Sequence, residues 1–107
     1  MKIAGTFEKN GEVMQQSEVV PDPFWTLLGP DPNVPRAEVH TEVSRSHDLG
    51  GGWVKCSYAI TVVCPQTKPH INAAAELVFR TAIEYVNDGM SFLAPGVAPM
   101  DTPQVKK

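Results

Sequence analysis

The clearest pattern in the chain is an alternation of apolar and polar residues in two neighbouring segments. Apolar and polar positions alternate over 37–44, and the same period of two recurs over 54–64. This period is typical of strands in a half-buried antiparallel sheet. We therefore expect a β-hairpin with strands at about 37–46 and 53–64, joined by a glycine-rich loop that ends at Gly52.

The two patterns also suggest how the strands pair. One register matches apolar residues on one face and opposite charges on the other. It pairs Val43 with Val54, Val39 with Tyr58, and Glu42 with Lys55. We predict this register for the hairpin.

A helical repeat follows the second strand. Pro69 suits a first helical turn, and the apolar residues after it recur at helical spacing. Gly89 suits the left-handed residue that often ends a helix. The pattern predicts one amphipathic helix over about 69–88.

The first third of the chain carries weaker signals. Asn10-Gly11 is a typical two-residue hairpin turn, so we expect a short N-terminal hairpin. Asp22 and Gly29 are suited to the two ends of a short helix near 23–28. The predicted fold class is α+β, with one domain over 1–94 and a Pro-rich mobile tail over 95–107.

This set of elements gives a thin core. An isolated hairpin is marginal in water, and three or more strands are normally needed. Either residues 1–20 complete the sheet or a second copy of the chain does. We therefore expect self-association as a homodimer or a higher oligomer.

Composition narrows the classes of partner. The chain has 107 residues, nine basic and twelve acidic side chains, and a net charge of −3. This balance does not favour a duplex nucleic-acid binder, which usually presents a basic surface. No apolar run approaches the roughly 20 residues of a membrane span. We expect a cytoplasmic protein without a membrane partner.

The two cysteines agree with that location. Cys56 and Cys64 lie on one predicted strand, where their Cα atoms would be roughly 26 Å apart. A disulfide needs about 7 Å or less. They are predicted to be reduced thiols that pack in the core.

No motif in the chain predicts catalytic, cofactor or metal chemistry. Ser46-His47-Asp48 are consecutive, whereas a catalytic triad is a relay in space. The three glycines at 50–52 lead into a strand, whereas a phosphate loop leads into a helix. The histidines and cysteines lack the paired spacing of a metal site. We expect no cofactor and no metal.

Two segments are candidate binding surfaces. Arg45, His47, Trp53 and Lys55 flank the glycine-rich loop, and an aromatic side chain beside basic ones suits stacking on single-stranded bases. Phe24 and Trp25 belong to the short apolar helix, which must dock on another surface because it is too short to be stable alone.

The central stretch resembles small uncharacterised proteins encoded by bacteriophages. The resemblance lies in the strand at 37–44, the glycine loop, the strand at 53–64 and the Ala-rich helix that opens with 72–79. It covers about half of the chain. It implies an accessory role in the host cytoplasm and no catalytic residues.

The sequence thus leaves three hypotheses for function. The first is a non-enzymatic binding or assembly module that associates with itself or with another protein. The second is an accessory protein that binds single-stranded nucleic acid at the hairpin tip. The third is a small enzyme, for which no set of residues meets the geometric requirements of an active site.

Overall fold

A computed structural model describes residues 1–29, 33–96 and 98–99. Six elements follow one another along the chain, and we number them in order. They are β1 (Lys2–Lys9), β2 (Glu12–Val19), α1 (Trp25–Leu28), β3 (Arg36–Asp48), β4 (Trp53–Pro65) and α2 (Lys68–Leu93).

The four strands form one antiparallel sheet in the order β2-β1-β4-β3. α2 packs on one face of this sheet, mainly across β3 and β4. The predicted α+β class is therefore confirmed, and the question about residues 1–20 is answered. β1 lies between β2 and β4, so the N-terminal hairpin completes the sheet.

The core lies between β4 and α2. Alternate residues of β4, from Val54 to Cys64, are buried against the helix, as the period of two predicts. Ile3 and the helical residues Val78 and Val86 complete this layer. The side chains of β4 on the other face are only half-buried, because no element of the described chain forms a second layer there.

The N-terminal hairpin turns where the sequence predicts. Asn10 and Gly11 have φ values of 51° and 90°, which suit a type I′ turn. β2 is exposed along its whole length, because it lies at the sheet edge beyond the cover of α2.

The predicted register of the second hairpin is wrong. Val43 pairs with Tyr58, Val39 with Val62, and Glu42 with Ala59. The faces are unchanged, because the shift is an even number of residues. The error comes from the loop: β3 continues to Asp48, which pairs with Trp53, so the connection is shorter than expected.

Two helix boundaries also differ from the prediction. α2 continues to Leu93, and Gly89 lies inside it instead of capping it. A Cβ at Gly89 would lie 2.5 Å from Cys56 Sγ, so this glycine permits a close approach of helix and sheet. Between β2 and β3, α1 is a single turn, shorter than the helix predicted near 23–28.

The tail predicted at 95–107 lies largely outside the described residues. Within the described ranges, no helix is long and apolar enough to cross a membrane.

Candidate functional site

The tip of the β3–β4 hairpin is tied to the turn of the N-terminal hairpin. The backbone N–H of Trp53 donates to Asn10 Oδ1 at 2.9 Å, and the N–H of Asn10 donates to the Trp53 carbonyl at 3.0 Å. Within the loop, the N–H of Gly50 donates to Asp48 Oδ1 at 2.8 Å. These bonds give the glycine-rich loop a defined conformation.

The basic and aromatic residues predicted at this tip are divided between the two faces of the sheet. Arg45 pairs with Cys56 and His47 with Val54, so both belong to the face that carries α2. Trp53 and Lys55 alternate along β4 with Val54 and Cys56, which are buried under α2. Trp53 and Lys55 therefore belong to the uncovered face. Arg45 and Trp53 are therefore not neighbours on one surface.

Three of the four residues still meet where the sheet ends. His47, Trp53 and Lys55 line an open depression of about 550 Å³ together with Asp48. Trp53 is 42% exposed there. The depression thus combines an accessible aromatic ring with a lysine and a histidine, and one carboxylate offsets their charge.

Arg45 has a different environment. Its side chain lines a cavity beside the C-terminal end of α2 with His47, Leu49 and Leu93. Its Nη1 atom is buried and has no hydrogen-bond partner among the described residues. The Arg45 guanidinium is therefore partly withdrawn from solvent, on the face of the sheet opposite Trp53.

At Phe24, the predicted binding surface is not a free one. Phe24 packs against the core and meets the His70 ring edge-to-face, with the ring centroids 6.4 Å apart. Its backbone N–H donates to Asp22 Oδ1 at 2.9 Å. Phe24 is therefore a structural residue. The side chain of Trp25 lies outside what the structure describes.

A cleft that the sequence did not predict runs between β2 and α2. It has a volume of about 310 Å³ and contains two tyrosine rings whose centroids are 5.1 Å apart. The Tyr85 hydroxyl donates to Glu18 Oε1 at 3.1 Å, and the Tyr58 hydroxyl donates to Gln16 Oε1 at 3.4 Å. No sequence pattern pointed to it, because its two walls come from segments far apart in the chain.

Burial and negative charge perturb these phenols. Burial is the larger cause of the raised pKa of Tyr85, followed by its hydrogen bond to Glu18. Burial also raises the pKa of Tyr58, and nearby acidic groups add to the effect. Both tyrosines therefore remain neutral hydrogen-bond donors, which suits a structural role.

The edge formed by β3 is the longest open feature of the sheet. β3 pairs with β4 without a bulge from Arg36 to Asp48, and its other side has no neighbouring strand in the described chain. On the uncovered face, His40 Nδ1 lies 2.7 Å from Thr61 Oγ1. We name the outward side of β3 from Glu38 to Ser46 the β3 edge.

The described residues contain no group of three or more histidine, cysteine or acidic side chains placed to hold a metal ion. Comparison of the chain with protein-family models, curated proteins and solved structures finds no match.

Proposed function

We propose that this protein is a small non-enzymatic assembly module that works in the cytoplasm as a homo-oligomer. The observation that supports the proposal best is the β3 edge, a long and bulge-free strand at the border of the sheet. The accessory role implied by the resemblance to bacteriophage proteins agrees with such an activity and forms part of the proposal.

The physical argument is that an open strand is a template for another strand. Its outward N–H and C=O groups can bond to a second chain, and proteins usually blunt such edges with bulges, prolines or charged side chains, especially lysines. β3 contains no proline and no lysine between Arg36 and Asp48. Exposed apolar side chains elsewhere, such as Phe79 and Trp53, add surface that a partner would cover.

Analytical ultracentrifugation over a range of protein concentrations tests the proposal. We expect a species with at least twice the mass of the chain at micromolar concentration, dissociating on dilution. A strict monomer at high micromolar concentration would overturn the proposed self-association.

A second candidate function is binding of single-stranded nucleic acid at the hairpin tip. The depression that contains Trp53, Lys55 and His47 favours it, because an exposed aromatic ring beside a cationic side chain suits base stacking. Asp48 in the same depression and the displaced Arg45 count against it.

Tryptophan fluorescence tests this second function. In a Trp25→Phe variant only Trp53 reports, and stacking would quench its emission on addition of an oligonucleotide at low salt. The quenching should weaken as salt rises. A Trp53→Phe variant, in which Trp25 alone reports, is the matched control. Unchanged emission of Trp53 at low salt removes this candidate.

A further inference from the structure

The β3 edge has a partner of suitable chemistry in a second copy of the chain. We infer that two copies pair antiparallel along β3, about a two-fold axis that passes beside Thr41 and stands perpendicular to the sheet. The inference rests on the proposed self-association and names its surface. The product is a continuous eight-stranded sheet with two α2 helices side by side on one face.

The hydrogen bonds at the two ends of β3 identify which backbone groups point outward. Gln66 N–H donates to the Pro35 carbonyl, and Leu49 N–H donates to the Gly52 carbonyl. Odd-numbered residues of β3 therefore bond to β4, since the pattern alternates along an antiparallel ladder. The even-numbered residues from Glu38 to Ser46 direct their N–H and C=O groups away from the sheet.

The side chains favour a register centred on Thr41 over the registers centred on its two neighbours, His40 and Glu42. An axis at Thr41 places His40 opposite the partner's Glu42, and Val39 opposite the partner's Val43. An axis at Glu42 would oppose two copies of that glutamate, and an axis at His40 would oppose Glu38 and Glu42. Like charges directly opposite are destabilising. The Thr41 axis avoids them and pairs apolar with apolar.

The helices provide an independent argument. α2 packs across β3 and β4, so its axis lies about one strand spacing from the proposed two-fold axis. With strands roughly 4.8 Å apart, the two helix axes would be roughly 10 Å apart. Packed helices are typically 8–10 Å apart. Pairing through the β3 edge thus brings the two helices into contact without rearrangement.

An exposed aromatic side chain lies on the helix flank that would form this contact. Asp88 faces the cleft beside β2. Phe79 precedes it by nine residues, or two and a half helical turns, and therefore lies on the opposite flank, toward β3. Phe79 is 41% exposed in the single chain.

The height of Phe79 along the sheet agrees with the position of the axis. Gly89 lies against Cys56. Ten residues of helix cover about 15 Å, which corresponds to between four and five residues of strand. Phe79 is therefore level with Ile60, the residue that pairs with Thr41. Phe79 of each copy would meet the partner's Phe79 beside the axis.

Disulfide trapping tests the register. Thr41 would form a non-hydrogen-bonded pair with the partner's Thr41, with Cα atoms about 4.5 Å apart, a separation that a disulfide can span. We expect Thr41→Cys to give a covalent dimer under mild oxidation. Cys56 and Cys64 do not interfere, because both are fully buried.

One mixed cysteine pair and two single cysteine variants serve as matched controls for the trapping. A mixture of Val39→Cys and Val43→Cys chains should give the mixed covalent dimer, whereas Val39→Cys alone should not dimerise. Gln16→Cys probes the other sheet edge, β2, and should remain monomeric on a non-reducing gel. Cross-linking through Gln16→Cys in place of Thr41→Cys would overturn the inference.

The outcomes separate this inference from the proposed function. A dimer by ultracentrifugation that fails to cross-link through Thr41→Cys leaves self-association standing and refutes the pairing centred on Thr41. A strict monomer refutes both.

A charge introduced at the helix contact tests the same dimer without cysteines. Phe79→Glu should raise the dimer dissociation constant at least tenfold. Phe92→Glu should not change it, because Phe92, which is 76% exposed, lies on the flank toward β2. Circular dichroism should show both variants folded. Equal dissociation constants for the two variants would contradict the helix contact.

Discussion

Gly89 lies where α2 comes close to the sheet, and replacing it with alanine tests that contact. A Cβ at this position would lie 2.5 Å from Cys56 Sγ and 2.6 Å from Phe7 Cε1. Non-bonded carbon atoms in contact are normally about 3.5–4.0 Å apart. Cys56 is fully buried, so it cannot move aside into solvent.

Two effects of opposite sign decide the outcome of Gly89→Ala. Alanine stabilises a helix interior by about 1 kcal/mol relative to glycine. Forcing an extra methyl group into a packed core typically costs about 1–3 kcal/mol. Because the overlap with both neighbours is about 1 Å, we expect the second effect to prevail. The free energy of unfolding should fall by about 1 kcal/mol.

Urea unfolding followed by circular dichroism measures this change. Ala75→Gly, at an exposed position of the same helix, calibrates the propensity effect and should cost about 1 kcal/mol. In a Cys56→Ala background, Gly89→Ala should be less destabilising by about 1 kcal/mol, since the sulfur is gone. A stabilisation of about 1 kcal/mol by Gly89→Ala in both backgrounds would refute the close contact.

Three further predictions concern single groups in the sheet and helix. Burial raises the pKa of Cys56 from 9.0 to about 11, so the unfolded thiol loses its proton first as pH rises. The free energy of unfolding should fall between pH 9 and 11 by at most roughly 2–3 kcal/mol, and a pH series with Cys56→Ala should show a flatter slope. Thr67→Ala should lower the free energy of unfolding in urea by about 1 kcal/mol, because the Thr67 hydroxyl caps α2 by accepting from the His70 N–H. Thr67→Ser keeps the hydroxyl and should retain the stability. Asn10→Gly keeps the turn but removes the side-chain acceptor for the Trp53 N–H. Thermal unfolding of this variant should show a free energy of unfolding lower by about 0.5–1.5 kcal/mol. An unchanged free energy of unfolding would show that the bond contributes nothing to stability.

The sequence pattern predicted the faces of the β3–β4 hairpin better than its register. A period of two tells which residues share a face, and Val43 and Val39 do face the helix with Val54 and Tyr58. It cannot distinguish registers that differ by an even shift, because each of them pairs apolar with apolar. The length of the loop decides the register, and glycine content alone did not give that length.

The end of α2 was misplaced for a different reason. Glycine favours a helix end through its backbone freedom, but it also allows close packing inside a helix. Gly89 serves the second purpose, which depends on Cys56 and Phe7, residues far away in the sequence. A single sequence does not reveal such a long-range neighbour.

The candidate site could have been predicted more closely. Arg45 and Trp53 lie on opposite faces by the same alternation that predicts the strands, so their separation was already present in the pattern. The cleft between β2 and α2 could not be predicted in this way, because it depends on where β1 enters the sheet. That position is a property of the topology.

The place of β1 between β2 and β4 has a consequence for how the chain folds. The β1–β2 hairpin is local and can form early, yet Lys2 finds its second partner only at Thr61. Pairings between residues so distant in sequence slow folding, because loop-closure entropy must be overcome first. During synthesis, the β1–β2 hairpin therefore emerges before β4, and the side of β1 that will pair with β4 stays open until β4 follows. That interval is when the nascent chain is most exposed to pairing with the wrong strand.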